Sequence, residues 1–198
     1  MAIDRHGDEA PSHGNEAPSH GDEAPSHWVL RFCGLVAPGA RALDLACGRG
    51  RHARLLRDRG CSVVALDRDE SALALLAHEQ GIQTLAADVE SGPWPFEPRS
   101  FDVIVVTNYL HRPLFPWLRE ALAEDGVLIY ETFAAGNERY GRPSNPDFLL
   151  RPDELLEAVK PLDIVAFEQG RITRPRPAVV QRICAVRTAQ ATAETLIA

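Results

Sequence analysis

The stretch Ala42–Ala53 combines an acid, two glycines and two arginines within twelve residues. Ala42–Leu45 is short and apolar and reads as a buried strand. Gly48 and Gly50 break it, and Arg51 to Arg59 reads as a helix. A strand, a glycine turn and a helix together form a ligand cradle. Glycines allow close backbone approach, and N–H groups at a helix start attract an anion. Asp44 adds a carboxylate at the strand's end. A ligand with a carboxylate and an ammonium close together would answer both charges.

Two more acids recur at predicted strand ends. Asp67 follows Ser62–Leu66 and lies 19 residues after Gly48, near the offset at which an acid accepts from ribose hydroxyls. Asp88 follows Thr84–Ala87 and could accept from an adenine amino group while Val89 meets the ring. The turn Gly48-x-Gly50-x-x-Ala53 also fits the dinucleotide fingerprint. Arg49 and Arg51 would welcome a pyrophosphate, which Asp44 would repel. Asp44 sits on the strand, where its position is fixed, and it tilts the balance towards the amino-acid end of S-adenosylmethionine (SAM).

Those residues need elements to hold them. Ser26 can cap a first helix, Trp28–Leu35. Helices are also expected at Ser71–Gln80, Pro113–Ala123 and Pro152–Val159. Further strands are expected at Phe101–Val106, Val127–Phe133, Leu162–Phe167 and Val180–Val186. Strands alternate with helices and end in two strands running consecutively. The expected fold is α/β: a Rossmann-like, doubly wound, mostly parallel seven-stranded sheet with an antiparallel C-terminal strand pair. Ligands bind such sheets beyond the carboxyl ends of the strands. Thr107, Asn108, Tyr109 and His111 follow the fourth strand there. His111 is a candidate base, equally a packing or capping histidine, and Asn108 and Tyr109 could orient an acceptor. Ala134–Pro146 is a long polar loop whose Arg139, Tyr140 and Arg142 suit an anionic or polar substrate under a lid. A solvated loop pinned by Arg–Glu pairs would look the same.

Asp44-Leu-Ala-Cys-Gly-Arg-Gly-Arg-His resembles motif I of the class I SAM-dependent methyltransferases. The acids at 67 and 88 and the final antiparallel strands are similar to that family's arrangement, over about residues 28–187. Within the family, the chain looks closest to the small tellurite-resistance-type methyltransferases. The resemblance implies that Asp44, Ala46, Gly48 and Gly50 hold the methionine end of SAM. It implies Asp67 at the ribose, Asp88 and Val89 at the adenine, and Thr107 near the sulfonium. The implied activity is methyl transfer to a small molecule. Two rivals stay open: an NAD-type oxidoreductase using the same turn, and a non-catalytic SAM-binding protein.

The chain has 198 residues, 45% apolar and 25% charged, with net charge −7. Residues 1–27 hold six acids against one arginine, which leaves a near-neutral remainder. A nucleic-acid partner would normally call for a basic face, so none is expected, and no apolar run approaches the roughly 20 residues of a membrane span. With no apolar leader, a cytoplasmic location is expected. The four cysteines show no paired spacing, so no metal site is expected. Residues 6–26 are three copies of one heptapeptide, with glycine and proline in each. The expected organisation is a disordered tail over 1–27, the domain over 28–187 and a flexible tail over 188–198.

Overall fold

The computed structural model describes residues 24–188, so the repeats before residue 24 and the last ten residues lie outside the described part. Seven strands form one sheet: β1 (Arg41–Leu45), β2 (Ser62–Asp67), β3 (Ile82–Ala86), β4 (Phe101–Thr107), β5 (Leu122–Phe133), β6 (Asp163–Ile172) and β7 (Ala178–Val186). Their order is β3-β2-β1-β4-β5-β7-β6. The first five are parallel, and β7 runs antiparallel between β5 and β6. Chain order reverses between β1 and β4, and sheets of this kind bind ligands beyond the carboxyl ends of the strands at such a point.

Among the described residues five α-helices cover the sheet: α1 (His27–Phe32), α2 (Arg51–Asp58), α3 (Glu70–Ala74), α4 (Phe115–Ala121) and α5 (Glu154–Ala158). Helices α1, α3, α4 and α5 are shorter than their sequence suggests. α3 ends at Ala74 because Leu75, Leu76 and Ala77 close i→i−3 turns, which exposes Leu75 and seats Leu76 in the core. α1 gives way at Cys33 to a 3-10 turn, Cys33–Leu35. β5 and β6 are longer than expected. β5 begins at Leu122, ahead of the Asp125-Gly126 irregularity, and β6 runs on to Ile172 because β7 supplies ladder partners as far as Ala178.

Strand alternation sorts the core onto two faces. One face packs Leu43, Leu45, Ile104, Val106, Leu128 and Tyr130 against α4 and α5. The other packs Ala42, Val63, Ala65, Val103, Val105 and Ile129 against Trp28, Val29 and Phe32 of α1 and Ala53 and Leu56 of α2. On this second face the apolar alternation ends in polar residues at the carboxyl ends of the parallel strands: Asp44, Asp67, Thr107 and Glu131. Thr107 pairs in register with Glu131, Glu131 with Arg182, and Arg182 with Glu168, giving one polar row across four strands. A row of charge on a face covered by helices needs partners, and α1 brings them.

Candidate functional site

The site begins at the β1–α2 turn. Ala46 and Asn108, which follow β1 and β4, both adopt left-handed backbone without being glycine, with φ of 53° and 55°. Such conformations cost free energy and concentrate where a chain must turn sharply beside a site. The turn is held from below. Asp67 at the end of β2 accepts the Gly48 N–H at 2.7 Å and the Asp69 N–H at 3.0 Å. Asp44 is 1% exposed, and its Oδ2 accepts the Ala53 N–H at 2.8 Å. Burial pushes the Asp44 carboxyl up to about 7, against the Ala53 N–H and Arg51, which favour the charge, and with Asp67 adding to the rise.

These bonds change the expected picture of an open anion cradle. The N–H groups of Gly48, Gly50 and Ala53 are taken by Asp67, Cys47 and Asp44. The Asp44 carboxyl itself occupies the start of α2, where the helix dipole favours its ionised form against the burial that disfavours it. The two glycines also separate in role. A Cβ on Gly48 would meet nothing within 4 Å, so the turn leaves open space there. A Cβ on Gly50 would lie 2.5 Å from Leu76 Cδ1, so Gly50 is required by packing and by its φ of 80°. Cys47 is buried in the same turn. Burial, then Asp44 and Asp67, hold its thiol well above the usual range, so it is not poised as a nucleophile.

Asp88 and Val89 follow β3 beside this turn, where the Ala87 N–H binds the Asp67 carbonyl at 3.0 Å. Asp88 is exposed. Its carboxylate accepts from Ser91 Oγ at 2.8 Å and the Glu90 N–H at 2.9 Å, which lowers its pKa. Val89 is partly buried against the α4-side core.

Thr107 is buried at the end of β4, and its Oγ1 lies 3.4 Å from Nδ1 of His52 on α2. His52 Nε2 accepts the Ser26 N–H at 3.1 Å. Burial, with Arg51 adding, pushes the imidazole down to about 3, so it stays neutral. Ser26 caps α1 through its Oγ, which accepts the Trp28 N–H at 3.1 Å and donates to Glu131 at 2.8 Å. Glu131 pairs with Arg182 at 3.1 Å. Glu131 is legible from the sequence only as a strand-end residue, and His52 only as part of the glycine-turn motif. Both sit where an apolar residue would continue the face, and that polar substitution was the available signal.

The acceptor-side residues scatter more. Asn108 is exposed. Tyr109 turns towards the β3 side: burial, then the Glu90 and Asp88 carboxylates, push its phenol upward. This places it beside Asp88, and its carbonyl accepts from Tyr130 Oη at 2.8 Å. His111 is half-buried at the start of the 3-10 turn Arg112–Leu114, where its carbonyl accepts the Leu114 N–H at 3.0 Å. The stretch after β5 is pinned by Asn137, which is 2% exposed. Its Nδ2 donates to the Pro143 carbonyl at 3.0 Å and its Oδ1 accepts the Val179 N–H at 3.2 Å. Arg139, Tyr140 and Arg142 project from it into solvent, with the Arg171 guanidinium 5.3 Å from the Tyr140 ring centre. Among the described residues no cluster of three metal-binding side chains occurs, and no helix is long and apolar enough to cross a membrane.

Residues 42–125 match the family described as a methyltransferase domain. The chain is 28% identical to a tRNA U34 carboxymethyltransferase of Methylococcus capsulatus over 76% of its own length and 52% of the relative's. It is 32% identical to a malonyl-[acyl-carrier protein] O-methyltransferase of Serratia marcescens over 50% of its length and 41% of the relative's. It thus spans about half the length of the curated relatives it matches. The crystal structure of TehB from Haemophilus influenzae superposes with a TM-score of 0.67 at 20% identity, covering 81% of this chain and 61% of that one.

Proposed function

We propose, from the premise that this chain belongs to the class I SAM-dependent methyltransferases, that it binds SAM beyond the ends of β1, β2 and β4 and methylates a small-molecule acceptor. One observation carries the proposal: Asp67 holds the β1–α2 turn so that the space over Gly48 stays open beside a buried Asp44. The donor set fits SAM. Asp44 offers a charge for the ammonium. Asp67 has lone pairs left over from its two backbone bonds for ribose hydroxyls. Asp88 and Val89 lie where an adenine would extend, with Tyr109 beside them.

SAM supplies an electrophilic methyl group. The protein's work is positioning, which can lower a barrier on the order of 7–11 kcal/mol. Gly48 contributes room, because its N–H is already committed. Thr107 stands at the end of β4 on the same face as Asp44. The segment 134–146, pinned by Asn137, edges the acceptor side and limits water, and Arg139, Tyr140 and Arg142 suit an acceptor bearing negative charge. His111 and Asn108 belong to the same rim and would meet the acceptor only on closure. The methyltransferase domain spans 28–187 and acts in the cytoplasm without nucleic-acid or membrane partners.

A calorimetric titration with SAM, S-adenosylhomocysteine and NAD tests this. Binding of the first two, lost in a Gly48→Val variant that still folds, is the expected result. Preference for NAD, or unchanged SAM affinity in that variant, would overturn it. Transfer of labelled methyl from SAM to a component of a metabolite extract separates catalysis from binding alone.

A further inference from the structure

We propose that His52 is a positioning residue: the Ser26 backbone fixes its tautomer, and the imidazole in turn aims the Thr107 hydroxyl towards the SAM site. The inference rests on the function proposed above and extends it to His52, to which the resemblance assigns no role.

The chemistry leaves little freedom. A backbone N–H can only donate, so the Ser26 N–H at 3.1 Å requires a lone pair on Nε2. A neutral imidazole then carries its proton on Nδ1. Nδ1 faces Thr107 Oγ1 at 3.4 Å and donates to it. A threonine oxygen that accepts from one side directs its own O–H elsewhere. Val105 pairs in register with Asp44, and Thr107 stands two residues on, so it shares the Asp44 face at the carboxyl end of β4 and can offer its proton to the SAM site. The imidazole is itself 1% exposed, so water does not scramble the arrangement.

Ser26 is held for this task from two further directions. Its Oγ accepts from Trp28 and donates to Glu131, the register partner of Thr107. The start of α1, α2 and the ends of β4 and β5 are therefore joined at one buried point. His52 acts through Thr107 and need not touch SAM.

The test has two arms. In the first, long-range 1H–15N NMR on the wild-type protein reads the tautomer directly. Protonation on Nδ1 is expected, and protonation on Nε2 would overturn the proposal. In the second, SAM affinity is measured for Thr107→Val, His52→Phe, the double variant and His52→Asn, with thermal melts to follow folding. Loss of one hydrogen bond predicts about a five- to tenfold weakening in each single variant. The double variant should be no weaker than Thr107→Val alone, because both changes remove one interaction. His52→Asn, whose amide N–H stands near the place of Nδ1, should recover most of the affinity. Losses that multiply in the double variant, or full affinity in His52→Phe or in Thr107→Val, would sink the proposal. Should His52→Phe fail to fold, the NMR result and the Asn variant decide. A wild-type protein that binds no SAM would end the functional reading itself, an outcome distinct from these.

Discussion

The Asp67 carboxylate joins the end of β2 to the β1–α2 turn, accepting the Gly48 N–H at 2.7 Å. One acid thereby sets the shape of the turn and stands where ribose hydroxyls are expected. Asp67→Ala should weaken SAM binding at least tenfold and lower stability by about 1–3 kcal/mol, since two backbone donors lose their acceptor. Asp67→Asn should fall between, because an amide keeps a single acceptor oxygen. Calorimetry and urea unfolding on the three proteins check both numbers.

The two glycines of the turn should respond differently to one added methyl. Gly48→Ala meets no neighbour, so its cost is the left-handed backbone, about 1 kcal/mol. Its effect should appear as lost SAM affinity. Gly50→Ala drives a Cβ to 2.5 Å from the buried Leu76, so a cost of about 2–4 kcal/mol is expected from strain and overpacking. Thermal melts with and without SAM separate the two.

Asp44 makes stability depend on pH in a direction opposite to most paired acids. Its folded pKa, about 7, lies above the ordinary 3.8. Between those values the unfolded chain has released the proton and the folded chain has not. Stability from this group is therefore full below about pH 4, falls as pH rises to about 7, and then levels. Asp44→Asn removes that slope, so the variant should gain on the wild type by about 2–3 kcal/mol between pH 5 and pH 7. Urea midpoints at the two pH values check it. An ammonium-bearing ligand favours the ionised form, so SAM affinity in the wild type should rise with pH up to about 7. Calorimetry at pH 6 in buffers of unlike ionisation enthalpy should register proton release.

Arg112 ties the segment after the polar loop to the end of β4. Its guanidinium donates to the Asp147 carbonyl at 2.6 Å, the Leu149 carbonyl at 2.8 Å and Glu154 at 2.6 Å. Burial pushes the Glu154 carboxyl up, and Arg112 and Arg151 together outweigh it, leaving a pKa of about 2. Arg112→Ala should cost about 2–4 kcal/mol, because Glu154 is left enclosed without its main partner. The stability that Glu154 contributes is present above about pH 4.5 and is lost as pH falls towards 2, so the variant should show a flatter acid limb. Urea unfolding between pH 3 and pH 7 reads both, and faster proteolysis at 139–147 should accompany it.

Several features were fixed by local sequence alone. The apolar runs and glycine turns gave the seven strands, because alternation and chain breaks are properties of neighbouring residues. The order of strands and helices then left few topologies, since parallel crossovers share one hand. Asp44, Asp67 and Asp88 declared themselves by standing at strand ends. Tertiary structure alone decided what those residues touch. Asp44 turned out to cap α2 from within, and Gly50 to serve Leu76, a residue 26 positions away. His52 and Glu131 became members of the site only when α1 folded over β4 and β5 and brought Ser26 against both. Contacts of that kind come from long-range packing, in which a side chain's partner is set by the whole sheet and leaves no mark in its own neighbourhood of the chain.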